Sequence, residues 1–195
     1  MKRAALAALV SVWAVAAPVI AQEPMPPAPP PVATKRELLR KYVWSTLGPA
    51  GALHATIASG LEQWRGSPPA WDADWGGYTQ RWASEYGESA ISDTTKYAVA
   101  RLFHHDPSFV RCECTGVAPR VLHAISGPFM ARTRDGRTVW SLAPSAGIIA
   151  GHVVSASTWY PAPRGTRDGV QHAAVGILTK MAVDVFHEFK PKRLP

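Results

Sequence analysis

The sequence contains few cysteines and lacks the motifs of the common enzyme classes. Only Cys112 and Cys114 occur in 195 residues, whereas disulfide-stapled folds use more cysteines at wider spacing. The sequence has no phosphate-binding loop, no dinucleotide fingerprint and no serine nucleophile elbow. Its apolar run Ala4–Ala17 is shorter than the roughly 20 residues that a membrane-spanning helix needs. The fold must therefore depend on burial of apolar side chains, and no reaction is indicated.

Residues 1–21 have the pattern of a secretory signal peptide. Two basic residues precede the apolar run Ala4–Ala17, and Val19 and Ala21 are the small residues of a cleavage site. We therefore predict that this leader is cleaved and that the protein acts in the periplasm or cell envelope. An uncleaved membrane anchor is the alternative interpretation. Export argues against nucleic acid as a partner.

Residues 22–34 form a proline-rich segment with six prolines among thirteen positions. So much proline prevents a helix and favours an extended spacer, with a tail that has no role as the alternative. Without Lys2 and Arg3, the remaining 19 basic and 14 acidic side chains give a net charge of +5. This charge is compatible with a membrane surface or another envelope protein as partner and does not select between them. It indicates no oligomeric state.

Residues 35–195 are predicted to form one all-α bundle of about five helices. The first helical stretch runs from Lys35 to Arg65, with Thr34 and Glu37 as a capping box and a kink or break at Pro49. No sustained alternation of apolar and polar residues between hairpin turns is present. The other predicted helices cover 78–104, 119–131, 144–158 and 166 or 168 to 189, and Arg-Asp-Gly-Arg at 134–137 predicts a turn.

Small residues recur every four positions on two of the predicted helices. Residues four apart share a helix face, so each series predicts a close contact between helix backbones. We therefore expect a bundle with Gly, Ala and Ser at its helix interfaces. The two series are Gly48, Ala52, Thr56 and Gly60, and Ala143, Gly147, Gly151 and Ser155.

The same two helices lie in uncharged stretches, Val43–Leu61 and Trp140–Tyr160. Their lengths match a bilayer core and aromatic residues lie at their ends, so a small membrane-inserted helical protein is an alternative. Against insertion, Pro49, His54 and His152 interrupt these stretches. The basic residues just before the first stretch also conflict with the positive-inside rule after export. We favour a packed bundle in the periplasm or against a membrane.

The densest group of potential metal ligands is His104, His105 and Asp106, followed by Cys112 and Cys114. Histidine and cysteine suit zinc or copper, so a metal-binding protein or hydrolase using this region is the alternative function. The spacing matches no standard zinc site, and adjacent helical residues point about 100° apart. The structural interpretation is that the histidines complement a helix end, the aspartate forms a turn, and the cysteines are free or locally bridged. The sequence does not identify a cofactor, which stays unknown.

Two aspartates alternate with two tryptophans before the second predicted helix. Asp72 and Asp74 lie between Trp71 and Trp75, a pattern in which aromatic rings stack on a sugar and carboxylates bind its hydroxyls. The interpretation that we favour is that these acids cap the following helix beside a Gly-Gly turn.

Six short motifs carry a resemblance that covers the chain from about Gly48 to Pro191. They lie at Trp75–Arg81, His104–Pro107, Arg120–Ala124, Arg132–Gly136, Trp159–Pro161 and Glu188–Pro191. Together they resemble an uncharacterised family of exported bacterial proteins, for which no activity is established. The resemblance implies one exported domain and no mechanism. We therefore predict a non-enzymatic structural or binding role in the cell envelope.

Overall fold

The computed structural model describes residues 32–161 and 165–191, so the predicted leader and most of the proline-rich segment lie outside the described residues. The described chain is mostly helical, which confirms the all-α prediction. Its helices are α1 (Lys35–Thr46), α2 (Pro49–Arg65), α3 (Trp75–Phe103), α4 (Val117–Ser126), α5 (Ala143–Thr158) and α6 (Thr166–Phe189).

Local capping chemistry sets the ends of the first two helices. Thr34 accepts a hydrogen bond from the Glu37 amide, and the Glu37 carboxylate accepts one from the Thr34 amide, which confirms the capping box. The predicted long helix breaks before Pro49, because proline lacks the amide proton that the helix would need there. Gly66 ends α2 in the left-handed conformation, with φ of 64°.

The long helix α3 is the centre of the bundle. It packs against α1 and α2 on one side and against α5 on another, while α6 covers α5 and contacts α4. The Asp74 side chain caps the first turn of α3 by accepting a hydrogen bond from the Gly77 amide at 2.8 Å. The bundle therefore places residues of α3 against three other helices, α1, α2 and α5.

Small residues make the closest helix contacts, as predicted, but only one of the two predicted series has the right register. Ala143, Gly147, Gly151 and Ser155 are all buried on α5. A Cβ atom at Gly147 would lie 2.5 Å from the Ser92 carbonyl oxygen on α3, which shows how closely these backbones approach. On α2 the buried face consists instead of Gly51, Ala55 and Ser59, so Thr56 and Gly60 are exposed. The predicted α2 series was wrong by one residue.

The connection between α4 and α5 contains a small hairpin that the sequence did not predict. Helix α4 ends at Ser126 rather than continuing to Ala131, since Gly127 and Pro128 begin a 3-10 turn. Strands β1 (Met130–Arg132) and β2 (Thr138–Trp140) then pair antiparallel around the predicted Arg-Asp-Gly-Arg turn. Each strand has only three residues, too few to show an alternating pattern.

No helix among residues 32–161 and 165–191 is long and apolar enough to cross a membrane. The first uncharged stretch is divided between α1 and α2 at Gly48, and the second begins in β2. Neither uncharged stretch is therefore a single continuous helix.

Candidate functional site

The five predicted metal ligands follow one another along the loop after α3, but their side chains go to different places. His104 ends α3 in the left-handed conformation, with φ of 58°, and is exposed. His105 turns away from it, and its Nδ1 lies 3.1 Å from Ser141 Oγ. The two adjacent histidines therefore have separate structural surroundings.

Asp106 is a buried junction between three segments of the chain. Its Oδ2 accepts a hydrogen bond from the Ala33 amide at 3.0 Å, and its Oδ1 accepts one from the Ser108 amide at 3.0 Å. Asp106 Oδ2 also lies 3.7 Å from a guanidinium nitrogen of Arg132 in the hairpin. The backbones of Asp106 and Arg132 form an isolated antiparallel β-bridge. Burial opposes the charged form, but the hydrogen bonds from Ser108 and Ala33 outweigh it and lower the pKa of Asp106.

The cysteines are joined to each other, so their sulfurs do not provide thiolate ligands. Cys112 and Cys114 form a disulfide, and the Cys112 amide donates to Glu188 Oε2 of α6 at 3.0 Å. In the part of the chain that the structure describes, no group of three or more His, Cys, Asp or Glu side chains is arranged to hold a metal ion. The structure therefore does not gather His104, His105, Asp106, Cys112 and Cys114 into one site, and the metal-site hypothesis stays a prediction.

A second group of ionisable side chains, which the sequence analysis missed, lies where α3 meets α5 and extends to Glu62 of α2. We call Glu62, Glu85, Glu88 and His152 the acid–histidine cluster. The Nδ1 atom of His152 is 2.5 Å from Glu88 Oε1, and Ser155 donates to Glu88 Oε2 at 2.6 Å. Two glutamates three apart on one helix were the available signal, since residues i and i+3 share a face.

The carboxyls of this cluster differ in their pKa values. Burial, with the nearby carboxylates of Glu62 and Glu88, raises the pKa of Glu85 from 4.5 to about 7. Burial acts in the same direction on Glu88, but the hydrogen bonds from His152 and Ser155 outweigh it and lower the pKa of that carboxyl. Perturbed values of this kind occur in active sites and in structural ion-pair networks. Neighbouring carboxyls of one buried site thus hold their protons over different pH ranges.

The hydrogen bonds of the cluster favour a structural role. Ser155 and His152 bind different oxygens of the Glu88 carboxylate, whereas a serine nucleophile needs its hydroxyl directed at the base. A Cβ atom at Gly176 of α6 would lie 2.6 Å from His152 Nε2, so α6 closes over the imidazole. The cluster therefore joins α3 and α5 beneath α6, and it is not arranged as a nucleophile with its base.

The Trp–Asp segment before α3 also has a structural role. Asp74 caps α3, which confirms the capping interpretation for that residue, and the Asp72 carbonyl accepts a hydrogen bond from Arg81 at 2.9 Å. Arg81 is 1% exposed and binds further carbonyls of this loop. Trp71 stacks on Tyr160, with ring centroids 5.3 Å apart. Its ring is thus engaged within the fold.

Helix α2 directs its large apolar side chains outward. The outward residues Leu53, Ile57, Leu61 and Trp64 lie on one stripe and are between 48% and 82% exposed. A helix of a globular protein normally buries such a stripe. On α2 the buried face is made of small residues instead.

Helix α1 presents basic and apolar side chains together. Trp44 of α1 is 60% exposed, and Leu47, which directly follows the helix, is 69% exposed. Four basic residues of α1 are also exposed. We call the exposed residues of the two helices the apolar–basic surface. It consists of Lys35, Arg36, Arg40, Lys41, Trp44, Leu47, Leu53, Ile57, Leu61 and Trp64.

Comparison of the chain with family models, curated proteins and solved structures finds no match. The resemblance to a family of exported bacterial proteins therefore stays a prediction that rests on the six motifs.

Proposed function

We propose that this protein is a non-enzymatic component of the cell envelope that binds an anionic lipid surface through its apolar–basic surface. The observation that carries the proposal is the reversed arrangement of α2, where Ala55 is fully buried while Ile57 and Trp64 are largely exposed. Large contiguous apolar surfaces on a protein mark sites of contact with a membrane or a partner.

Charge complementarity favours a lipid surface as the occupant. The basic residues Lys35, Arg36, Arg40 and Lys41 adjoin the exposed apolar residues of α1. A basic residue near an anionic membrane contributes about 1 kcal/mol of attraction. Exposed tryptophans suit the boundary between headgroups and acyl chains, and Trp64 is 82% exposed. This combination of residues is typical of helices that lie in a membrane interface.

Vesicle flotation tests this function. We expect the protein without residues 1–21 to float with vesicles containing phosphatidylglycerol and to bind phosphatidylcholine vesicles much more weakly. Arg36→Gln with Arg40→Gln should weaken binding to anionic vesicles by about thirtyfold, because two cationic contacts are lost. Arg134→Gln with Arg137→Gln in the hairpin is the matched control and should bind as the wild type does.

Two results would contradict lipid binding. One is equal flotation of the α1 variant and the hairpin control. The other is a stable complex with itself or with another envelope protein that Ile57→Ser and Trp64→Ser abolish while vesicle binding is absent, since the surface would then be a protein interface.

The envelope location is tested separately by fractionation of cells that express the whole chain. We expect the protein in the periplasmic or envelope fraction, with Gln22 as its first residue. Full-length protein in the cytosol, with Met1–Ala21 still attached, would contradict export.

A further inference from the structure

A cleft of about 350 Å³ lies between the loop that carries the disulfide and the C-terminal half of α6. Its volume is within the range of sites for small molecules. The cleft is distant in sequence from the apolar–basic surface and is built from different elements. It is lined by Phe109, Arg111, Lys180, Val183, Asp184 and His187.

The charges in the cleft leave one arginine without a carboxylate. Asp184 is 1% exposed, and Lys180 binds both of its oxygens, with Nζ 2.5 Å from Oδ1. That pair is neutral as a whole. No ion pair joins the guanidinium of Arg111 to a carboxylate within the described ranges, 32–161 and 165–191. The lining therefore carries a net positive charge, which Arg111 supplies.

The backbone that carries Arg111 is held on both sides. The carbonyl of Val110 lies 2.8 Å from His123 Nε2 of α4, and the Cys112 amide donates to the fully buried Glu188 at 3.0 Å. The disulfide to Cys114 closes the next turn of the loop. A fixed backbone lowers the entropy that binding costs, because the loop is already ordered.

We propose that this cleft binds a small molecule that carries one carboxylate or phosphate group and an apolar ring. The guanidinium of Arg111 provides a planar pair of donors for the anionic group. Phe109 and Val183 provide the apolar wall, and Lys180 already lies 5.6 Å from the centroid of the Phe109 ring. Lys180 keeps Asp184 neutralised, so the buried carboxylate does not repel the ligand.

Titration of labelled protein, followed by amide NMR spectra, tests the site. The probes are benzoate, phenyl phosphate, a short-chain soluble phosphatidate, and benzyl alcohol as the neutral control. We expect at least one anionic probe to shift the amides of residues 110–113 in a saturable manner, and benzyl alcohol to leave them unchanged. Binding of the phosphatidate alone would overturn the proposal of a ring-bearing ligand, because a phosphatidate has acyl chains and no ring.

The variant Arg111→Gln should weaken binding of that probe by about tenfold, since one charge-assisted contact is lost. Arg134→Gln, which removes an exposed arginine of the hairpin, should leave binding unchanged. If Arg111→Gln changes the circular dichroism spectrum, Val183→Trp replaces it. This variant keeps the arginine but fills the cleft, so it should also weaken binding of the probe. Absence of saturable shifts, or equal weakening by the Arg111 and Arg134 variants, would overturn the proposal.

Discussion

The contact between α3 and α5 and the exposed face of α1 and α2 distribute their residues in opposite ways. Between α3 and α5, glycines bring the backbones together and Glu88, His152 and Ser155 bond to one another inside the fold. On α1 and α2, tryptophan, leucine and isoleucine face outward. The fully buried residues of the described chain are mostly small or polar. The fold therefore depends on close helix contact and satisfied polar groups, and many of its large apolar residues are exposed.

The interior contact should be the more sensitive of the two regions. Gly147→Ala would place a methyl group 2.5 Å from the Ser92 carbonyl oxygen, and neither backbone can move without disturbing its helix. We expect the free energy of unfolding to fall by about 3 kcal/mol, measured by urea denaturation. A change below about 0.5 kcal/mol would show that the helices separate easily and would contradict the close contact.

The acid–histidine cluster should make stability depend on pH. The pKa of Glu85 is raised in the fold to about 7, so the folded state binds more protons than the unfolded state between about pH 4.5 and 7. Stability from this residue is therefore present below pH 4.5 and is lost as the pH rises through 7. We expect Glu85→Gln to stabilise the protein at pH 8 by about 2 kcal/mol.

The pH profile of unfolding for wild type and Glu85→Gln checks this expectation. Glu113→Gln, an exposed glutamate in the disulfide loop, is the control and should keep the wild-type profile. Parallel profiles for wild type and Glu85→Gln would show that burial does not hold the proton on Glu85.

On the exposed face of α1 and α2, a substitution should change vesicle binding more than the free energy of unfolding. Because Trp64 is 82% exposed, Trp64→Ser should change the free energy of unfolding by less than about 0.5 kcal/mol. Its partition into anionic vesicles should fall by about fivefold, since the ring no longer enters the interface. Leu122→Ser removes a residue of α4 that is 63% exposed and is the control for vesicle binding. A large loss of stability in Trp64→Ser would place this ring in the fold.

The smallest effect is expected at Gly60. Nothing lies within 4 Å of a Cβ atom built there, so Gly60→Ala should stabilise α2 by roughly 0.5–1 kcal/mol through its higher helix propensity. Thermal denaturation of both variants in one experiment should show Gly60→Ala more stable than the wild type and Gly147→Ala less stable. Destabilisation by Gly60→Ala would indicate that Gly60 is buried, as the predicted series of small residues on α2 requires.

Most predictions that depend on neighbouring residues were correct where the structure describes them, although α4 ends at Ser126 and not at Ala131. Thr34 with Glu37, Pro49, and Asp74 each act within a few positions of the helix end that they determine. Predictions about which residues meet across the fold were less accurate. The α2 series was placed one residue away from the buried face, and His104 and His105 were grouped although they separate at the end of α3.

The sequence by itself determined where most helices begin and end, because caps, prolines and left-handed glycines act through hydrogen bonds within one turn. The tertiary structure alone decided which face of α2 is buried, and it brought Glu88 of α3 to His152 of α5. It also placed Arg111 and Val183 in the lining of one cleft. These relations join residues far apart in the chain, and they depend on how closely small residues allow the helices to approach.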